Sequence, residues 1–137
     1  MLSGPPLRNR TSLTGISLAV LATWAALCVI WNVYGAIQLS MGGRALGPTA
    51  SWSGAGFIVL LGVLLVVTSK SWPRAYPWLA LLAAALAAPT VWKAFTLDPS
   101  LWPSEFWRWA GIVLNVFGVG GAVIAVIGSL SNGTNAR

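Results

Sequence analysis

Four long apolar stretches constrain this chain most, at about residues 13–39, 53–69, 76–95 and 106–130. A helix needs about 20 apolar residues to cross the roughly 30 Å hydrocarbon core of a bilayer. Strands of a membrane barrel would alternate apolar and polar residues, whereas residues 57–61 form an unbroken apolar run. The sequence therefore predicts an all-α polytopic membrane protein. We expect four transmembrane helices in an up-down bundle, forming a single integral membrane domain over residues 1–137.

The charge content supports this class and excludes several others. Only 7% of the residues are charged and 57% are hydrophobic, whereas soluble domains carry roughly 25% charged residues. A soluble enzyme, a disordered tail and a disulfide scaffold are excluded on this ground. The net charge is +6, but the basic residues are single and scattered. Since they form no stripe that could follow a phosphate backbone, we expect no nucleic-acid partner.

The basic residues predict an orientation. With four spans, both termini and the second loop lie on one side of the membrane. That side carries Arg8, Arg10, Lys70, Arg74 and Arg137, and the other carries Arg44, Lys93 and Arg108. Lysine and arginine are enriched in cytoplasmic loops. We therefore expect both termini in the cytoplasm, in a bacterial inner membrane.

The residue types that are missing limit the chemistry. The chain has no histidine and one cysteine, so haem or chlorophyll ligation by histidine, a Cys/His zinc site and a histidine-activated nucleophile are all excluded. We predict no catalytic residues, no metal site and no cofactor, with a bound lipid or quinone as an open alternative. The two acids, Asp98 and Glu105, lie in the third loop. We interpret them as ion-pair partners of Lys93 or Arg108 rather than as an acid/base pair.

The fourth span has the clearest pattern. Small or polar residues recur every three or four positions, which puts them on one helical face. They are Gly111, Asn115, Gly118, Ala122, Ala125 and Ser129. Small residues let membrane helices approach closely, so we predict that this stripe packs against a helix of this chain or of another subunit. The first span offers a looser partner face at Gly15, Ala19, Ala22 and Ala26.

Two asparagines are the deepest strongly polar groups. Asn32 and Asn115 lie in the first and fourth spans, and their depths differ by about 4–5 Å at 1.5 Å per helical residue. We expect them to hydrogen-bond across the two helices, with contact to a ligand or ion as the alternative.

Aromatic residues mark both predicted membrane interfaces. The inner set is Trp72, Tyr76 and Trp78; the outer set is Trp31, Tyr34, Trp52, Trp92, Trp102, Trp107 and Trp109. An interfacial belt explains both sets. The larger number of aromatic residues at the outer interface, together with the cations among them, could also bind an anionic headgroup, a quinone-like ring or a partner loop. The candidate ligand contacts are Asn32, Lys93, Trp92, Trp107, Arg108 and Trp109.

These features favour a non-catalytic accessory, structural or assembly subunit of a larger membrane complex. A small homo-oligomeric transporter, flippase or channel is the alternative, although no span carries a carboxylate at its middle. An enzyme acting on lipid or quinone ranks third. The expected partners are membrane lipids and other membrane subunits, or further copies of this chain.

Overall fold

A computed structural model describes residues 12–134, with side chains described through residue 131. The helices are α1 (Leu13–Ser40), α2 (Trp52–Ser71), α3 (Tyr76–Thr96) and α4 (Glu105–Thr134), with a short 3-10 helix at Pro99–Leu101. Each α-helix is long and apolar enough to cross a membrane. The predicted fold class and integral membrane assignment are confirmed, and α4 extends beyond the predicted residue 130. Arg8, Arg10 and Arg137, on which the orientation also depends, lie outside the described residues.

Local chemistry explains where the first two helices begin and end. The side chains of Ser12 and Ser51 accept the N–H groups of Gly15 and Gly54 at 3.1 and 3.0 Å, capping α1 and α2. After α1, Gly42 has φ +76°, a conformation that glycine adopts without steric penalty. The N–H of the next residue then reaches back to the Gln38 carbonyl at 2.8 Å, as in a Schellman motif.

The four helices pack as an up-down bundle. α4 lies against both α1 and α3, and α1 also lies against α2, whereas α2 and α3 meet over only a short stretch. Segments 41–51 and 97–104 connect helices at one end of the bundle, which we call the two-loop end. Segment 72–75 connects α2 to α3 at the opposite, one-loop end.

The predicted stripe of α4 lies inside this bundle. Asn115, Gly118, Ala122 and Ala125 are buried, and Gly111 and Ser129 are partly buried. The ring of Trp24 from α1 lies directly over Gly118, and Trp24 is 1% exposed. The described contacts of this stripe are therefore made within the chain.

The partner face predicted for α1 was wrong. Gly15, Ala19 and Ala26 are exposed and Ala22 is only partly buried. The buried face instead carries Ser17, Leu21, Trp24, Ala25 and Cys28. The physical reason is that the glycines of α4 leave room for large side chains of α1, so that large groups rather than small ones meet them.

A buried polar junction joins three helices near the one-loop end. The Ser17 hydroxyl donates to the Gly121 carbonyl at 2.8 Å and lies 2.8 Å from the Tyr76 hydroxyl. Tyr76 is 2% exposed, so assigning it to the inner aromatic belt was wrong. Its position at the start of α3 points it inward, where Ser17 satisfies its hydroxyl.

Candidate functional site

A cavity of about 210 Å³ lies at the two-loop end. All four helices contribute to its walls, together with residues 47–49 of the first loop and Trp102 of the third. The volume is below the roughly 300–1,000 Å³ of pockets for drug-sized ligands. The cavity therefore suits a small molecule or one end of a larger one.

The exposed lining residues mark the mouth of the cavity. They are Pro48, Thr49, Phe57 and Lys93, which belong to the first loop, α2 and α3. The mouth is therefore bordered by polar and charged residues as well as by apolar ones. Phe57 and Lys93 belong to helices that are long and apolar enough to cross a membrane.

The side chain of Asn115 lines the deep part of the cavity and has an oxygen without a hydrogen-bond donor among the described residues. Asn115, 9% exposed, donates from Nδ2 to the Gly111 carbonyl at 2.8 Å. Its Oδ1 accepts no hydrogen bond from any residue that the structure describes. Asn115 lies seven residues beyond Arg108, about 10 Å deeper along α4 at 1.5 Å per residue. This oxygen can accept a hydrogen bond from a ligand or water.

Two indole N–H groups flank one glycine in the wall. A Cβ placed on Gly47 would lie 3.3 Å from Nε1 of Trp102 and 3.5 Å from Nε1 of Trp31. Neither nitrogen donates to any described residue, although Trp102 is only 5% exposed. Neither nitrogen is fully enclosed by protein, and both residues line the cavity, so both N–H groups are free to donate to a bound acceptor. A side chain at Gly47 would press against both nitrogens.

Two cations complete the lining. Arg108 donates to Glu105 from Nε at 3.1 Å and from Nη2 at 2.6 Å, which confirms the expected pairing of an acid with Arg108. The Nη1 group lies 3.5 Å from the Ala94 carbonyl, and the guanidinium retains further N–H groups. Lys93 pairs with no acid in the described part of the chain. None of the lining residues is acidic, so the cavity is electropositive.

The other loop acid has a local role. Asp98 is the cap of the 3-10 helix and accepts the Ser100 N–H at 2.9 Å. Hydrogen bonds from the Ser100 backbone and side chain hold the pKa of Asp98 below its ordinary value. Asp98 lies outside the cavity lining.

The expected hydrogen bond between Asn32 and Asn115 does not form. Asn32 donates to the carbonyl of Cys28 at 2.8 Å and accepts the Ser51 N–H at 3.1 Å. It therefore ties α1 to the start of α2, because Ser51 is the cap of that helix. Both asparagines nevertheless line the same cavity.

The remaining candidate contacts lie elsewhere. Trp92 and Trp109 are exposed, outside the cavity. Trp107 meets Trp31 edge to face, with ring centroids 5.8 Å apart, and lines a separate apolar groove. Assigning Trp102 to the outer belt was wrong, because the 3-10 turn before it directs its ring into the protein. Sequence reasoning missed Trp24, Trp31 and Trp102 as cavity residues.

No known family model, curated protein or solved structure matches the chain. The walls of the cavity offer hydrogen-bond donors and positive charge beside aromatic and aliphatic surface, which suits binding of an anionic or acceptor-rich molecule. Residues 12–134 contain no group of three His, Cys, Asp or Glu side chains placed to hold a metal ion.

Proposed function

We propose that the protein is a non-catalytic accessory subunit of a larger membrane complex. The observation that supports this most is a pair of glycines that face away from the bundle. Gly56 in α2 and Gly120 in α4 are exposed, and a Cβ added at either would meet nothing within 4 Å. Neither glycine is needed for packing inside the chain. Small residues at outward positions allow a helix of another subunit to approach closely.

Purification from the native membrane in mild detergent tests this proposal. We expect a second protein at fixed stoichiometry with the wild-type chain. Gly56→Leu and Gly120→Leu should release it without lowering the melting temperature of the isolated chain, because both added side chains enter open space. Val66→Leu, at another exposed position of α2, is the matched control and should keep the partner. A wild-type chain that purifies alone as a monomer contradicts the proposal.

A small homo-oligomeric transporter, flippase or channel is the second candidate. The cavity favours it, because a transporter needs a site that a solute or headgroup can enter. Mass photometry would show a defined homo-oligomer in place of a hetero-complex. In reconstituted vesicles, Asn115→Ala should abolish transport while leaving the oligomer intact. Unchanged transport by this variant contradicts a route past Asn115.

We also propose that both termini lie in the cytoplasm of a bacterial inner membrane. The excess of basic residues on that side supports this orientation. Under it, the two-loop end and the mouth of the cavity lie in the outer leaflet.

A further inference from the structure

The cavity at the two-loop end is a hydrogen-bond donor site that the fold itself does not use. The N–H groups of Trp31 and Trp102 have no partner among the described residues, and both nitrogens lie beside Gly47, 3.5 and 3.3 Å from where its Cβ would be. Lys93 supplies an unpaired ammonium group, and Arg108 retains N–H groups beyond those that Glu105 accepts. Residues with these four donor groups all line the cavity, and the lining contains no carboxylate.

We propose that this cavity binds a phosphate group, held between the indole N–H groups of Trp31 and Trp102 and the cations Lys93 and Arg108. Phosphate fits because it offers several acceptor oxygens and a negative charge to a set that consists of donors and cations. Charge-assisted hydrogen bonds of this kind are about twice as strong as neutral ones. A neutral ligand would leave the ammonium group of Lys93 without a counter-charge.

The geometry of the mouth indicates the source of the phosphate. The mouth is bordered by Phe57 of α2 and Lys93 of α3, which belong to membrane-crossing helices near the two-loop end. A lipid headgroup at that end of the bundle can therefore reach it. The volume of about 210 Å³ accommodates a headgroup but not two acyl chains. We infer that the ligand is an anionic phospholipid whose phosphate enters the cavity while its chains remain in the bilayer.

Native mass spectrometry of the delipidated full chain tests the proposal. Titration with phosphatidylglycerol should give an affinity at least about tenfold higher than titration with phosphatidylcholine. Phosphatidylcholine carries the same phosphate with a quaternary ammonium, for which the lining provides no acid. Equal affinities for the two lipids would overturn the proposal.

Three variants test whether the named cavity residues form the phosphate site. Lys93→Gln removes a charge, Trp102→Phe removes an N–H while keeping a ring, and Gly47→Ala puts a methyl group against both indole nitrogens. Each should weaken phosphatidylglycerol binding about tenfold or more, as expected when a hydrogen bond to a charged group is lost. Gly47→Ala and Lys93→Gln keep the test valid if Trp102→Phe fails to fold.

Matched controls use the same changes away from the cavity. Lys70→Gln at the one-loop end and the exposed Trp92→Phe should bind phosphatidylglycerol as the wild type does. An equal loss of phosphatidylglycerol affinity in the control variants would show that the lipid is attracted to the protein surface in general, and it would overturn the proposed site.

Inorganic phosphate and glycerol 3-phosphate distinguish the source. If they do not compete at millimolar concentration, the lipid assignment is supported. If either of them binds with an affinity equal to that of phosphatidylglycerol, the phosphate site is supported and its lipid source is overturned. These lipid-binding measurements can fail or succeed independently of the proposed accessory role, because the Gly56→Leu experiment measures release of a partner protein and not lipid binding.

Discussion

The fit of Trp24 over Gly118 makes a sharp prediction about the interior of the bundle. A Cβ on Gly118 would lie 2.6 Å from both Cδ1 and Nε1 of Trp24. Ordinary van der Waals contact begins at 3.4 Å, so the ring or the helix would have to shift by about 0.8 Å. Trp24 is almost completely buried, and its Nε1 already lacks a hydrogen-bond partner in the described residues.

We expect Gly118→Ala to lower the free energy of unfolding by about 1–3 kcal/mol, the usual effect of overpacking a core. At roughly 4 °C per kcal/mol for a chain of this size, the melting temperature should fall by about 4–12 °C. Gly120→Ala is the matched control, two residues along the same helix. Its Cβ meets nothing within 4 Å, so stability should stay the same or rise by up to about 1 kcal/mol through helix propensity.

Size-exclusion chromatography after heating, on the purified chain in detergent, measures both variants. The double variant Trp24→Leu/Gly118→Ala shows whether the loss of stability comes from a clash with the Trp24 ring. If it does, the alanine should have little further effect once the ring is gone. A Gly118→Ala protein that melts at or above the Gly120→Ala temperature would refute the packing described here. A full penalty for the alanine in the Trp24→Leu background would show that the clash is not with the ring.

Three further outcomes are expected. Ser17→Ala should destabilise more than Tyr76→Phe, because it removes both hydrogen bonds of the junction whereas Tyr76→Phe leaves the bond to the backbone; each effect should be about 0.5–2 kcal/mol by thermal melting. Asp98→Asn should leave the neutral-pH melting temperature unchanged within error, since the carboxyl is fully exposed. Because hydrogen bonds from Ser100 lower its pKa, any contribution of the ionised form is lost only as the pH falls through that lowered value. In a cysteine-free background, Met41→Cys should react with an impermeant thiol reagent from outside intact cells and Ser71→Cys should not; the reverse labelling contradicts the proposed orientation.

The spans could be predicted from sequence because the bilayer fixes their length and apolarity. The rotation of each helix about its axis could not. In a soluble helix, the polar face marks the outside, but here both the lipid-facing and the buried faces are apolar. On α1, Val33 and Leu21 look equivalent in sequence, yet Leu21 is fully buried and Val33 is not. The partner face of α1 was therefore assigned to the wrong residues.

Aromatic residues near helix ends were ambiguous for a related reason. An amphipathic ring at the end of a span is equally consistent with the lipid interface and with an inward site, since its polar atom needs a partner in either place. Tyr76 finds Ser17 and is buried, whereas Trp78, two residues later, is exposed. Which of them turns inward depends on a partner from a distant helix, which local pattern does not reveal.

The candidate site shows most clearly that local sequence patterns do not reveal contacts between distant segments. Lys93 and Arg108 could be singled out as cations among aromatics, but the indole donors come from α1 and from the third loop, 71 positions apart in the sequence. Both indole nitrogens lie beside Gly47, which belongs to a third segment. A Cβ at that position would lie 3.3 and 3.5 Å from the two nitrogens and would obstruct an acceptor. These indole donors from distant segments, unpartnered among the described residues, are the reason that we propose binding, rather than packing alone, as the role of this end of the bundle.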